Sequence, residues 1–174
     1  MLIDLRNLLS GNEDSITVDA TIDMETFSTS YGDYPIVDKQ TFKLTLDKLD
    51  KNKASVKGSS SVTLCIPCDR CLQPVDTVVD FDIDRTLYIG DSINEIEDGE
   101  EQDYIDGYNL DVDKLALGEI LMGIPGKVLC KPDCKGLCMI CGNNLNIKEC
   151  GCDRESIDPR MSVFKDILNN FKEV

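Results

Sequence analysis

Along residues 16–25 apolar and polar positions alternate, Ile16, Val18, Ala20, Ile22 and Met24 against Thr17, Asp19, Thr21, Asp23 and Glu25. Successive side chains of a strand point to opposite faces, so this period of two predicts a strand with one apolar face turned inward. Phe42, Leu44 and Leu46 repeat the pattern against Thr41, Lys43, Thr45 and Asp47, and Asp50-Lys51-Asn52-Lys53 supplies turn residues before Val56, which predicts a hairpin. After Gly58 the alternation resumes at Val62, Leu64 and Ile66, and beyond a turn at Cys68 to Cys71 a last strand carries Val75, Val79, Phe81 and Ile83. Gly58-Ser59-Ser60-Ser61 is too short to be a domain linker. The predicted order is a β-meander, whose half-buried strands must close on themselves or be covered.

Downstream the period becomes helical. Leu117, Ile120, Leu121 and Ile124 recur at helical spacing behind Asp111 and Asp113, either of which suits an N-cap, and Pro125 ends the run. Asp158-Pro159-Arg160 reads as an N-cap followed by proline at the first helical position, and Met161, Phe164, Ile167, Leu168 and Phe171 continue as one apolar stripe. A chain of 174 residues suits one core with a small appendage. The expected division is an acidic β-rich part, 1–129, with a helix near 111–124, and a cysteine-rich segment with a terminal helix, 130–174.

Charge sharpens that division. The formal net charge is −15, yet residues 130–174 hold seven bases and seven acids, so the excess acid lies in 1–129. Within it, 91–106 carries eight carboxylates and no base. This stretch reads as a solvated, flexible loop or as a lure for a basic partner, and the acidic half should repel bare RNA. The opening Met1-Leu2-Ile3-Asp4-Leu5-Arg6 has charges early and no apolar stretch behind them, so no signal peptide or membrane span is expected and the protein is placed in the cytoplasm.

Nine cysteines in that compartment stay reduced, which points to metal or thiol chemistry and away from a disulfide framework. There is no histidine, so imidazole-based catalysis is excluded and a metal must be held by thiolates, with at most a carboxylate. Six cysteines crowd one span: Cys130, Cys134, Cys138, Cys141, Cys150 and Cys152. Cys138-x-x-Cys141 followed by Gly142 has the form of a zinc knuckle, with Cys150 and Cys152 as the natural second pair and Cys134 as the strongest substitute. Zinc is the expected metal, with an iron–sulfur cluster or metal-free thiols as alternatives. Few apolar residues lie between Lys131 and Arg154, so the segment should depend on metal for its order. Four thiolates leave no open coordination position, which makes such an ion structural. Cys65-x-x-Cys68-Asp69-Arg70-Cys71 is a second cluster with three readings: a knuckle sharing metal with the C-terminal cysteines, a redox pair, or an idle turn of buried thiols. The expected fold class is α+β, a small antiparallel β-barrel or sandwich-like meander with two or three helices and a C-terminal, zinc-binding, loop-rich segment.

Pro67-Cys68-Asp69-Arg70-Cys71-Leu72, Asp106-Gly107-Tyr108-Asn109-Leu110-Asp111, Cys134-Lys135-Gly136-Leu137-Cys138 with Cys141-Gly142, Asn144-Leu145-Asn146 and Asp158-Pro159-Arg160 together resemble, in order and spacing, the YceD family of large ribosomal RNA subunit accumulation proteins. The resemblance covers nearly the whole chain, weakly over the first sixty residues. It implies a bacterial cytoplasmic protein linked to accumulation of large-subunit ribosomal RNA, with no catalytic activity, and it makes the turn at Cys68, Arg70 and Cys71 functional or a second metal position. Some members of the family lack the C-terminal cysteines, so zinc is not the whole function.

Three function classes follow. The first is a non-enzymatic accessory factor for large-subunit assembly or 23S rRNA accumulation, whose partner is a basic ribosomal protein or a pre-50S particle drawn to the acidic half. The second is a direct rRNA binder using Lys131, Lys135, Lys148, Arg154 and Arg160. The third is a thiol redox protein at Cys68 and Cys71. Neither a glycine-rich phosphate loop nor any other catalytic constellation is present, so no catalytic residue and no small-molecule substrate is expected, and no membrane partner either.

Overall fold

The computed structural model describes residues 1–11, 14–30, 32–90 and 102–152. The predicted C-terminal helix and residues 91–101 of the acidic stretch lie outside them. In chain order the elements are β1 (Leu2–Asp4), α1 (Arg6–Leu9), β2 (Ser15–Ala20), β3 (Thr26–Thr29), β4 (Gly32–Lys39), β5 (Phe42–Asp50), β6 (Lys53–Pro67), β7 (Pro74–Tyr88), β8 (Ile105–Asp106), β9 (Asn109–Asp111) and α2 (Val112–Gly123). The described chain is mostly antiparallel β-sheet with two helices.

The large sheet is organised by two strands of 15 residues each, β6 and β7, which pair along their whole length from Lys53↔Tyr88 to Pro67↔Pro74. One edge of β6 is thus filled by β7, and the other is divided. Its first half, Lys53 to Lys57, pairs with β5, and Val62 to Leu64 pair with β4. The sheet forks where the partners part, at Gly58. A Cβ on Gly58 would stand 2.8 Å from both the Lys43 carbonyl oxygen and Leu44 Cδ2, so only glycine lets β5 come this close as it turns away toward β2. Because the sheet forks, no closed barrel is formed among the described residues, and the expected barrel is corrected on this point. The meander survives as β5–β6–β7. The hairpin of β3 and β4, which the alternation did not predict, inserts β4 beside β6.

The inward face is built from the predicted alternating positions: Phe42, Leu44 and Leu46 of β5, Val56, Val62 and Leu64 of β6, and Val79, Phe81 and Ile83 of β7 are all buried. Phe42 and Phe81 meet edge to face, with ring centroids 5.8 Å apart at 87°. Helix α2 packs on β7. Asp111 caps it, its Oδ1 accepting from the N–H groups of Asp113 at 3.1 Å and Lys114 at 3.4 Å. Asp113, the other predicted cap, does different work: its Oδ1 accepts from the N–H of Asp23 at 2.7 Å and of Met24 at 3.2 Å, tying the helix to the residues after β2. The buried face of α2 is Val112, Leu115, Ala116 and Ile120, whereas Leu117 and Leu121, predicted inward, face solvent.

A second, three-stranded sheet, β1–β9–β8, leads into α2. The end of the predicted acidic loop belongs to it. Gln102 Oε1 accepts from the N–H of Tyr88 at 3.0 Å and its Nε2 donates to the Thr86 carbonyl at 2.9 Å, fixing the chain just before β8. Among the described residues no helix is long and apolar enough to cross a membrane.

Candidate metal centre

Strands β6 and β7 are joined by Cys68-Asp69-Arg70-Cys71-Leu72-Gln73. The Cys68 N–H donates to the Gln73 carbonyl at 2.8 Å and the Leu72 N–H to the Cys68 carbonyl at 2.9 Å, with Leu72 in the left-handed region at φ 60°. The same turn recurs at the second C-x-x-C. The Cys138 N–H donates to the Asn143 carbonyl at 2.8 Å, the Gly142 N–H to the Cys138 carbonyl at 2.8 Å, and Gly142 has φ 72°. Each is a knuckle that brings two cysteines together on backbone hydrogen bonds alone.

Eight of the nine thiols gather into two groups of four. Cys68, Cys71, Cys130 and Cys134 form one, Cys138, Cys141, Cys150 and Cys152 the other, and within each the sulfurs lie within 4.8 Å of one another. In the first group the Cys68 and Cys134 sulfurs are 3.9 Å apart and those of Cys71 and Cys130 3.5 Å. A tetrahedral ion bound at roughly 2.3 Å per thiolate needs sulfurs about 3.8 Å apart, so both groups could hold one metal ion each. The all-sulfur donor sets suit a soft or borderline metal. Cys65, half-buried on β6, belongs to neither group.

The first group joins distant stretches of chain, and side chains around it hold them in place. Asp69 Oδ2 accepts from the Val128 N–H at 2.7 Å while the Asp69 N–H donates to the Val128 carbonyl at 2.9 Å. Arg70 donates from its guanidinium to the Cys134 carbonyl at 2.8 Å, and its own carbonyl accepts from the Leu137 N–H at 3.0 Å. Arg70 therefore acts as a strut, having no lone pair to offer a metal. Gly136, at φ 77°, lies so close that a Cβ there would meet the Arg70 carbonyl oxygen at 2.9 Å. Asn146 Nδ2 donates to Cys134 Sγ at 3.2 Å, and its Oδ1 accepts from the Lys135 N–H at 2.9 Å.

The local field differentiates the thiols. Burial pushes Cys68 up, but the N–H groups of Arg70, Cys130 and Cys71 outweigh it and hold the thiol at about 6. Cys130 is pushed up to about 12 by burial and by the sulfurs of Cys71, Cys134 and Cys68. In the second group the N–H groups of Cys141 and Ile140, with the Cys150 thiol, bring Cys138 down to about 6. Hydrogen bonding to Cys141, then burial and Cys150, raise Cys152 to about 12. Each group thus pairs a thiol ionised at neutral pH with one that keeps its proton until a cation displaces it.

The two C-x-x-C turns and the crowding of six cysteines were visible in the sequence. The structure gathers Cys138, Cys141, Cys150 and Cys152 and places Cys130 and Cys134 with Cys68 and Cys71 instead. Asp69, Gly136 and Asn146 received no role from the sequence. The signals available were the place of Asp69 beside Cys68, of Gly136 midway between Cys134 and Cys138, and of Asn146 within the Asn144-Leu145-Asn146 motif.

Residues 56–168 match the family described as "Large ribosomal RNA subunit accumulation protein YceD". The chain is also similar to uncharacterized proteins of Mycobacterium bovis and Mycobacterium tuberculosis, 29% identical over 114 residues, which is 65% of this chain and 55% of those relatives. It thus spans little more than half the length of the curated relatives it matches. No solved structure matches it.

Proposed function

This chain belongs to the YceD family of large ribosomal RNA subunit accumulation proteins, and from that premise we propose that it is a non-enzymatic, cytoplasmic accessory factor for assembly of the large ribosomal subunit. The observation that carries the role is the family match, whose residues 56–168 include both cysteine knuckles. Zinc at both four-cysteine groups fits the all-sulfur donors, and with no position left for substrate the ions are structural. They organise a segment that has little core of its own: in 130–152, apart from cysteines, only Leu145 is a buried apolar residue.

The mode of action proposed is attraction of a basic ribosomal protein or a pre-50S particle to the acidic half. Its support is the charge asymmetry, together with the outer face of β7, where Asp76, Asp80, Asp82 and Asp84 are exposed on alternate positions. Asp84 meets Lys57 of β6 at 3.3 Å, and its neighbours stand opposite Ser59, Ser61 and Cys65. Such a row steers cations over a Debye length and weakens with salt. Co-sedimentation with pre-50S particles, and pull-down of ribosomal proteins at low and high salt, test it. Association that falls as salt rises is the expected result, and none even at low salt overturns this mode.

Direct rRNA binding stands second, favoured by the exposed Lys131, Lys135 and Lys148. Lys135 already pairs with Glu149 at 3.1 Å, and 130–152 contains no aromatic side chain to stack on a base. The thiol redox reading is weaker again, because Cys68 and Cys71 sit in a set of four thiols and not as an isolated dithiol.

A further inference from the structure

The two sulfur groups differ in enclosure. In the first, Cys68, Cys71 and Cys134 are 0%, 4% and 2% exposed and Cys130 is half-buried, with Val75, Leu129 and Leu137 packed around them. Its ligands come from two stretches of chain that Asp69 and Arg70 hold together, while Asn146 braces Cys134 from within the second. In the second group only Cys138 is buried; Cys141 is exposed, and Cys150 and Cys152 are half-buried. All four of its cysteines come from the single stretch 138–152, and Cys150-Gly151-Cys152 lies outside any regular element.

Exchange of an ion from a closed four-thiolate site requires an incoming donor to reach the metal while one sulfur leaves. The first centre hinders both events, since three of its four sulfurs are buried between the β6–β7 turn and the segment packed on it. The second offers both.

We infer that the two centres are unequal by construction: the Cys138, Cys141, Cys150 and Cys152 centre is a readily exchangeable zinc site, and the Cys68, Cys71, Cys130 and Cys134 centre is a clamp that releases its ion slowly. This rests on the reading that both groups hold zinc. In the exchange step a competing thiolate or chelator donor binds the ion as a sulfur of the Cys150 and Cys152 pair leaves and takes a proton from solvent. No electron changes hands. The second centre thereby responds first to the supply of free zinc and of competing thiolates, and the clamp on the β-sheet responds only slowly.

The test uses the full chain, purified under reducing, oxygen-free conditions and analysed for zinc, then challenged with a chromogenic zinc chelator while free thiols are alkylated and mapped by mass spectrometry. With two zinc ions per chain, the expected release has two equal phases separated by about tenfold or more, the scale on which surrounding shells tune metal sites. At the end of the fast phase Cys138, Cys141, Cys150 and Cys152 are alkylated, and Cys68, Cys71, Cys130 and Cys134 are protected. A double variant, Cys150→Ser with Cys152→Ser, keeps one zinc and shows the slow phase alone. Release in one phase with label spread over both groups, or labelling of Cys68 and Cys71 first, overturns the inference while leaving two zinc ions in place. Fewer than two zinc ions in the unmodified protein overturns the two-zinc reading, and the inference with it.

Discussion

Leu72 and Gly142 hold the same position in two turns of one shape, at φ 60° and 72°. A side chain there costs about 1–2 kcal/mol of left-handed strain that glycine does not carry, partly offset by the greater freedom glycine has in the unfolded chain. Leu72 is 65% exposed, so little burial is lost with it. Leu72→Gly is therefore expected to keep full metal content and to change stability by no more than about 1 kcal/mol, measured by urea denaturation of the loaded protein. Asn146→Ala removes the one side-chain N–H seen on Cys134 Sγ and is expected to weaken the buried centre about tenfold in a competition titration, with the second centre unmoved. Acidity acts on both centres with one sign. Protons and metal compete for the same sulfur lone pair, so affinity rises with pH and falls most steeply below about 6, where even Cys68 and Cys138 carry a proton in the metal-free protein. Zinc retained after dialysis across that range checks it. At this scale the sequence displayed both knuckles because their spacing is local. It offered sharing of metal between the Cys68 turn and the C-terminal cysteines as one reading among three, but not the partnership of Cys71 with Cys130, 59 positions away, because only the fold brings those sulfurs to 3.5 Å.

At the scale of elements, alternation was legible wherever a strand is buried on one face, as in β5, the second half of β6, and β7. It failed at β4, where Pro35 interrupts the pattern and Val37, Asp38 and Lys39 are exposed in succession. It is silent too at Gly58-Ser59-Ser60-Ser61, which carries no apolar residue and is the middle of β6. Glycine there serves the close approach of β5, and the serines sit opposite Asp80 to Asp82 of β7. Gly58→Ala is expected to destabilise the protein by about 1–3 kcal/mol through overpacking against Leu44 and the Lys43 carbonyl, with the denaturant midpoint falling and the slope unchanged. For α2 the existence and cap were legible. The buried face was misjudged because Leu117 and Leu121 keep helical spacing, while the true face also uses the short side chains of Val112 and Ala116, which carry less apolar signal.

For the whole molecule, charge and cysteines divide the sequence near residue 130, yet the first sulfur group straddles that line. Two of its members belong to the β6–β7 turn and two to the segment beyond α2. An ion held there ties Cys71 to Cys130, closing a loop of 59 positions. By the chain-entropy estimate, a cross-link of that span disfavours the unfolded ensemble by about 4 kcal/mol. A disulfide would impose the same restriction and yield only to a reductant; this one yields to chelation at constant redox potential. The melting temperature of the protein should accordingly climb with free zinc and drop when chelator strips the buried centre, as expected of a ligand that binds the native chain more tightly than the unfolded one.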